Sequence, residues 1–245
     1  MTQCQGQQRW REPGSCRAGS VTRGLTRFAA DGGWCDHMPP RLKRNVDRSH
    51  LAKKEMTRSD DILRLPLDLP VPIDDGMASH LLGLPVVSRS LPSTTGELID
   101  LSALGGRTVV YCYPRTGRPD QEPPEGWNLI PGARGCTPQS CAFRDHHRGL
   151  GGLGARVFGL SAQDTEYQRE AAERLHLPFA LLSDERLEFA SAMRLPTFEV
   201  QSMRLLKRLT FIIRDRAVEH VFYPVFPPDA NAQEVLNWLI AHPLE

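Results

Sequence analysis

Apolar runs alternate with helix-like segments along most of the chain. Four runs typical of buried strands lie at residues 107–113, 155–160, 179–182 and 210–213. Capping residues and helical spacing predict helices over residues 138–150, 164–175 and 184–193. Short strands are predicted at residues 97–101 and 218–223. Asn231 and Glu234 have the spacing of a capping box for a last helix, with an apolar face formed by Val235, Leu236, Leu239 and Ile240.

This order of elements predicts an α/β fold. Strands and helices follow as β-β-α-β-α-β-α-β-β-α, which indicates a mixed central β-sheet flanked by helices on both faces. Residues 60–95 alternate short apolar pieces with Pro, Asp and Ser, and residues 56–79 are predicted to be an extended lead-in. Residues 117–130 are rich in Pro, Gly and Glu and predict a loop, with Trp127, Leu129 and Ile130 as anchors.

Charge and hydrophobicity set residues 1–55 apart from the rest of the 245-residue chain. This segment carries 11 Lys and Arg against 5 Asp and Glu, and only eight of its residues are Val, Ile, Leu, Phe or Met. Such a composition cannot offset the entropy of ordering, so the segment is predicted to be a disordered basic extension. Its basic residues form no nucleic-acid-binding motif. The favoured interpretation is that natural translation begins at Met56, which would make the extension dispensable.

The sequence contains no run approaching the roughly 20 apolar residues of a membrane helix. No signal-peptide core follows Met1 or Met56. We therefore expect a soluble, cytoplasmic protein that binds neither membranes nor nucleic acid.

Cysteine positions narrow the chemistry. Three of the six cysteines lie in the extension (Cys4, Cys16 and Cys35). Cys112 falls inside a strand pattern and is predicted to be a small buried hydrophobe. Only Cys136 and Cys141 are spaced as a working pair. In a cytosolic chain, such a pair favours redox or metal chemistry over a structural disulfide.

Cys136 follows a glycine-containing turn at a predicted helix start. Unsatisfied backbone N–H groups and the helix dipole favour an anion there, so the thiol is biased towards the reactive thiolate. Cys141 lies five residues on, which places the two Cα atoms of an intact helix about 8.6 Å apart. A disulfide needs them within about 7 Å. The pair could bond only after local unwinding, as expected of one cysteine that is oxidised first and one that resolves it.

Several motifs together resemble the peroxiredoxin Q (bacterioferritin comigratory protein) branch of the peroxiredoxins. The similarity covers about residues 80–243 and keeps the order of that family's motifs. Its core is Gly-Cys-Thr-x-x-x-Cys-x-Phe-Arg-Asp at residues 135–145, after Tyr-Pro at 113–114. Further agreement lies at residues 159–161, 179–184, 208–213, 219–222 and 235–239.

The resemblance implies a thioredoxin-like fold and a thiol peroxidase that reduces hydrogen peroxide and organic hydroperoxides. Cys136 would be the peroxidatic cysteine, and Cys141 would resolve its sulfenic acid as an intramolecular disulfide. Arg208 matches the arginine that keeps the thiolate charged and holds the peroxide. Thioredoxin or a glutaredoxin-like reductant would recycle the disulfide. The resemblance implies no cofactor and no metal, and a monomer or weak homodimer.

One departure from the family pattern concerns a hydroxyl group. The family signature Pro-x-x-x-Thr-x-x-Cys places a threonine three residues before the peroxidatic cysteine. Here that position holds Ala133, and Leu129 stands where the proline belongs. The nearest candidate is Thr116, just after the central strand and separated from Cys136 by a long insertion. Either Thr116 folds back to the thiolate or the hydroxyl is missing.

Three other functions remain open from the sequence. Cys136, Cys141, His146 and His147 form a C-x4-C-x4-H-H pattern that zinc or copper could bind, although the usual short Cys spacing is absent. A thioredoxin-like thiol–disulfide oxidoreductase is a second alternative, but it normally uses C-x-x-C. The third is a catalytically silent redoxin domain that serves as a binding module.

Overall fold

A five-stranded mixed sheet forms the centre of the structure, a computed structural model that describes residues 65–244. Its described strands are β1 (Ser90–Pro92), β2 (Leu98–Asp100), β3 (Arg107–Cys112), β4 (Ala155–Ser161), β5 (Leu181–Ser183), β6 (Thr197–Val200), β7 (Met203–Leu206), β8 (Leu209–Arg214) and β9 (Ala217–Phe222). Its described α-helices are α1 (Cys136–Gly152), α2 (Thr165–Arg174), α3 (Glu188–Met193) and α4 (Asn231–Ala241). Short 3₁₀ turns lie at Leu101–Ala103, Trp127–Leu129 and Pro228–Ala230.

The strands of the central sheet run in the order β5-β4-β3-β8-β9. Strands β3, β4 and β5 pair in parallel, whereas β8 pairs antiparallel with both β3 and β9. Every residue of β3 is buried, as the continuous apolar run predicted. The expected α/β class with a mixed central sheet is therefore confirmed.

Alternate residues of β3 enter the cores on the two faces of the sheet. Val110 and Cys112 pack with α3 residues on one face, whereas Val109 and Tyr111 pack with residues of α1 and α4 on the other. Cys112 is fully buried, which confirms its prediction as a small hydrophobe. Helix α1 lies against α4, and its first residue begins at the site described below.

Two predicted details of the last helix are wrong. Asn231 does not cap α4; it is the first residue of the helix, and its side chain is buried among polar partners. Ile240 is 60% exposed, so the apolar face is formed by Val235 and Leu239 with partly buried Leu236. The apolar face that α4 packs against the sheet is therefore narrower than the sequence predicted.

The sequence patterns also missed the β6–β7 hairpin and the short strand β1. The hairpin pairs Thr197 with Leu206 and contributes Val200 and Leu205 to a small apolar cluster with Trp127. Trp127 thus anchors the predicted loop, but Leu129 is 80% exposed and does not. The hairpin was not predicted because the apolar residue that it packs against, Trp127, lies in a loop far away in the sequence.

The predicted extension at residues 1–55 and the first part of the lead-in, residues 56–64, lie outside the described residues. Residues 65–89 follow an irregular path of turns, with a single isolated bridge from Pro85 to Ala217. Within residues 65–244, no helix has the length and apolar content needed to cross a membrane.

Candidate active site

The turn before α1 depends on Gly135. Its φ of +103° lies in the left-handed region, where residues with a Cβ are strained. A Cβ at this position would lie 2.4 Å from Pro228 Cγ and 2.8 Å from Leu65 Cδ2. Glycine is required here both for backbone conformation and for space. The turn therefore delivers Cys136 as the first residue of α1.

Cys136 is buried, with 3% of its surface exposed, yet its sulfur has polar neighbours. Nη2 of Arg208 donates to Sγ at 3.1 Å, and Sγ lies 3.6 Å from the carbonyl oxygen of Ala133. The free N–H groups of the first helical turn add positive potential at the same place. Arg208 and the start of α1 thus present positive potential to this sulfur.

Arg208 lies in the tight connection between β7 and β8 and is 3% exposed. Its Nε donates to the carbonyl of Gly132, and Nη2 donates to the carbonyls of Ala133 and Arg134 at 3.1 Å each. Among residues 65–244, no carboxylate forms an ion pair with it. A buried guanidinium without a carboxylate partner is costly. The thiolate of Cys136 is the group in contact that can neutralise it.

A buried polar chain continues from Arg208. Nη1 of Arg208 donates to Oε1 of Gln139, and the Gln139 amide donates to Oδ1 of Asn231 at 3.0 Å. The same oxygen accepts from the hydroxyl of Thr210 at 2.6 Å. Sequence reasoning missed Gln139, Asn231 and Thr210 as site residues. What could have revealed them is that each is a polar residue at a core-facing position of α1, α4 or β8, where apolar side chains are usual.

Cys141 lies on the same helix, and both thiols are free. It is partly buried, and this burial raises the pKa of its thiol, which the nearby guanidinium of Arg144 counteracts in part. Arg144 is held by Asp145 at 2.8 Å and by the carbonyl of Leu175 at 3.0 Å. The structure thus holds Cys141 as a neutral thiol on an intact helix.

The structure does not bring the Thr116 hydroxyl to Cys136. Thr116 is fully buried, and both its N–H and its hydroxyl donate to Oε1 of Gln163, at 2.8 and 3.1 Å. Ala133, at the position of the family threonine, is also fully buried and packs with Trp127, Val200 and Leu205. Of the four predicted site residues, Cys136 and Arg208 are in contact, Cys141 shares the helix, and Thr116 is engaged elsewhere.

A cavity of about 160 Å³ opens beside Cys136. The inserted loop forms much of its wall, together with Thr137 from α1 and Tyr167 from α2. The guanidinium groups of Arg115 and Arg118 lie 5.6 and 4.3 Å from the centre of the Tyr167 ring. These cation–π contacts join the start of the loop to α2. A small molecule in this cavity would lie next to Cys136.

The two histidines behind the cysteines take part in packing. His146 bonds the carbonyl of Ala142 at 2.8 Å and Oε1 of Gln233 at 2.9 Å, so both ring nitrogens are engaged. The His147 ring lies 5.7 Å from that of Phe179. Within residues 65–244, no group of three potential metal ligands is close enough to hold an ion. The C-x4-C-x4-H-H pattern therefore has no geometric support as a metal site.

Comparison with known proteins adds independent information. The model of the Redoxin family matches residues 82–236. Peroxiredoxin Bcp of Escherichia coli K12 is 32% identical over 158 residues, which is 62% of this chain and 91% of that protein. Chloroplastic peroxiredoxin Q of rice (Oryza sativa subsp. japonica) is 31% identical over 152 residues, or 61% of this chain. The match spans 62% of the rice protein's length, so it covers less than two thirds of that relative.

Solved structures extend the comparison to the fold. Peroxidoxin BcpB of Mycobacterium tuberculosis superposes with a TM-score of 0.54 at 28% identity, over 66% of this chain and 98% of that one. A peroxiredoxin Q of Xanthomonas campestris gives a TM-score of 0.53 at 22% identity, over 66% and 97%. These similarities confirm the thioredoxin-like fold expected from the sequence.

Proposed function

Because the chain belongs to the redoxin family, in its peroxiredoxin Q branch, we propose that it is a thiol peroxidase acting on hydrogen peroxide and organic hydroperoxides. The contact of 3.1 Å between Arg208 Nη2 and Cys136 Sγ carries this proposal. It joins a buried guanidinium, which has no carboxylate partner among residues 65–244, to a thiol at a helix start. That pairing favours a thiolate, the nucleophilic form of cysteine.

In the first step, the Cys136 thiolate attacks the terminal oxygen of the hydroperoxide. An S–O bond forms, the O–O bond breaks, and the alkoxide that leaves takes a proton from water to become an alcohol. The sulfur is oxidised to sulfenic acid and the peroxide is reduced. Arg208 is a catalytic residue here, because its N–H groups contact the sulfur and lie where charge develops.

In the second step, Cys141 resolves the sulfenic acid. The first turns of α1 unwind, the Cys141 sulfur attacks the Cys136 sulfur, and the hydroxyl leaves as water with the thiol proton. Two free thiols on one helix, five residues apart, support this step because they cannot bond while the helix is intact. A dithiol such as thioredoxin, or a glutaredoxin-like protein, would then reduce the disulfide.

Several broader properties belong to the same proposal. We place the peroxiredoxin domain at residues 80–243, acting as a monomer or weak homodimer without a cofactor or metal. The cytoplasmic location stays a prediction, since the relatives include a chloroplastic protein. The alternatives are a thiol–disulfide oxidoreductase, which would reduce protein disulfides without consuming peroxide, and a silent binding module, which would do neither.

The test follows the reduced protein after one equivalent of hydrogen peroxide by intact mass and peptide mapping. We expect loss of two hydrogens and a peptide linking Cys136 to Cys141, on a timescale at which free cysteine is unreacted. Cys136→Ser should abolish peroxide consumption. Cys141→Ser should stop at a sulfenic acid that is over-oxidised or forms intermolecular disulfides.

Cys112→Ser is the matched control, because Cys112 is fully buried in the sheet and its burial raises the pKa of the thiol. This variant should form the Cys136–Cys141 bridge as the wild type does. Peroxide turnover retained in Cys136→Ser would refute the assignment. A normal intramolecular disulfide in Cys141→Ser would show that another cysteine resolves the sulfenic acid.

A further inference from the structure

We propose that Thr137 supplies the hydroxyl that binds the peroxide in this chain, in the place where Ala133 and Thr116 do not. This inference rests on the proposed peroxidase function and names a further catalytic residue for it. It concerns the side chain that follows the reactive cysteine on α1.

The chemistry calls for a donor besides Arg208. As the O–O bond breaks, negative charge grows on the departing oxygen, and a positioned O–H or N–H donor lowers the barrier. Nη2 of Arg208 already serves Sγ and two backbone carbonyls, while Nη1 serves Gln139. The arginine therefore has few N–H groups left for the oxygen that departs.

At the first of the two expected hydroxyl positions, residue 133, the side chain is packed in an apolar cluster. The methyl group of Ala133 lies in the small apolar cluster with Trp127, Val200 and Leu205. Only its backbone carbonyl faces the sulfur, at 3.6 Å from Cys136 Sγ. A hydroxyl on this side chain would enter an apolar environment rather than meet a peroxide.

At the second position, Thr116, the hydroxyl is already engaged in a hydrogen bond. Thr116 donates its hydroxyl to Gln163, and the Gln163 amide in turn donates to the Thr116 carbonyl at 3.2 Å. This reciprocal pair fixes the start of the inserted loop against the residues after β4. Thr116 does not border the cavity beside Cys136. Its hydroxyl thus has a structural partner and no access to the substrate.

Thr137 meets the requirements that the other two fail. It directly follows Cys136 on α1 and borders the same cavity. Only 3% of its surface is exposed, yet its hydroxyl has no hydrogen-bond partner among residues 65–244. Its oxygen is not among the fully buried side-chain atoms of these residues that lack a partner, so the hydroxyl is open to the cavity. A peroxide in the cavity would provide the missing partner.

In the reaction, the Thr137 hydroxyl donates a hydrogen bond to the oxygen that departs as the Cys136 sulfur attacks its neighbour. The hydroxyl keeps its proton, and water supplies the proton that completes the alcohol. The residue therefore stabilises the transition state without taking part in the redox change. Its loss should slow the oxidation of Cys136 and leave the nucleophilicity of the thiolate unchanged.

The experiment compares Thr137→Val, which keeps the shape, with Thr137→Ser, which keeps the hydroxyl. The rate constant for Cys136 oxidation by hydrogen peroxide is measured in a single turnover on the full chain. Loss of one hydrogen bond to developing charge predicts a drop of about 10- to 100-fold for Thr137→Val. Thr137→Ser should keep most of the rate, and alkylation of Cys136 by iodoacetamide should be unchanged in both variants.

The other possible outcomes would overturn either the role of Thr137 or the proposed peroxidase function. Wild-type oxidation in Thr137→Val, equal losses in Thr137→Val and Thr137→Ser, or a larger loss in Thr116→Val would each overturn the role of Thr137. A parallel fall in alkylation would show that the side chain acts on the thiolate instead. If the wild-type protein reacts no faster than free cysteine, the proposed function fails and this inference fails with it.

Discussion

One guanidinium organises the acceptors around the sulfur of Cys136. Arg208 donates to three backbone carbonyls of the turn before α1, to the side chain of Gln139 and to Cys136 Sγ. The planar fork of arginine can serve several acceptors at fixed angles, which the single ammonium of lysine cannot. The Arg208 side chain therefore holds the conformation of the turn and also places a positive charge beside the Cys136 sulfur.

Replacing Arg208 by Gln should lower the rate of Cys136 oxidation by about 100-fold or more, because a charged donor to the sulfur and to the transition state is lost. Single-turnover oxidation by hydrogen peroxide measures it. Arg204→Gln is the control, since Arg204 is exposed on β7. A rate for Arg208→Gln within a few-fold of that control would remove Arg208 from the catalytic machinery.

Gly135→Ala should destabilise the fold by about 2–4 kcal/mol, through a strained positive φ and contact with Pro228. Gly151→Ala on the same helix is the matched control, because nothing lies within 4 Å of a Cβ there. It should be neutral or stabilise the helix by up to about 1 kcal/mol. Urea denaturation of both variants checks the pair. Equal midpoints would contradict the argument.

At the scale of elements, α1 is both scaffold and moving part. Its first helical hydrogen bond runs from Gln139 N–H to the Gly135 carbonyl at 3.0 Å. Two buried side-chain contacts hold the same turn, Gln139 to Arg208 and the Tyr111 hydroxyl to Ser140 Oγ at 3.1 Å. In the proposed mechanism these contacts break before Cys141 approaches Cys136, so we expect their loss to contribute to the barrier of the resolving step.

The raised pKa of Cys141 makes this unwinding sensitive to pH. A thiol whose pKa is higher in the folded helix stabilises that helix below its ordinary pKa of 9.0, and this contribution is lost as the pH rises. Disulfide formation after oxidation should therefore accelerate as the pH rises through 9 and above. Stopped-flow measurement of the second phase tests it, with Cys141→Ser as the control that lacks the phase. A rate independent of pH would contradict this account.

At the scale of the whole described molecule, the lead-in braces the active-site turn. A Cβ on Gly132 would lie 3.7 Å from Pro72 Cβ, and Leu65 lies against Gly135. Asp75 fastens the segment, because it pairs with Lys207 at 2.5 Å and accepts from the Tyr223 hydroxyl at 2.7 Å. Residues that the sequence predicted only as an extended lead-in thus reach the candidate active site.

Asp75→Asn should loosen this brace. The hydrogen bond from Lys207 lowers the pKa of Asp75 to about 2. The contribution of this ion pair to folding stability is therefore fully present above pH 3.8, and it is lost as the pH falls through 2. The pair is about one-third exposed, so we expect a loss below about 1 kcal/mol. Limited proteolysis should cut residues 65–80 faster than in Asp74→Asn, the neighbouring control. Equal cleavage rates would show that Asp75 does not fasten the lead-in.

The sequence by itself determined the class of fold and the central strand, and it singled out one cysteine pair as the candidate reactive groups. These features depend on local signals: apolar runs of strand length, caps and glycines at helix ends, and a cysteine at a helix start. Cys136 and Cys141 were predicted from such a local pattern, whereas Arg208 was predicted from the family resemblance. Such signals persist in sequence because they act within a few residues of one another.

Only the tertiary structure decided which side chains complete the site. Thr116 donates its hydroxyl to Gln163 rather than to the thiol, and Asn231 does not cap α4 but accepts from Gln139 and Thr210. Each of these hydrogen bonds joins residues far apart in the chain, so neither periodicity nor spacing encodes it. A polar side chain with several partners within reach takes the one that packing brings close, and packing is a property of the whole fold.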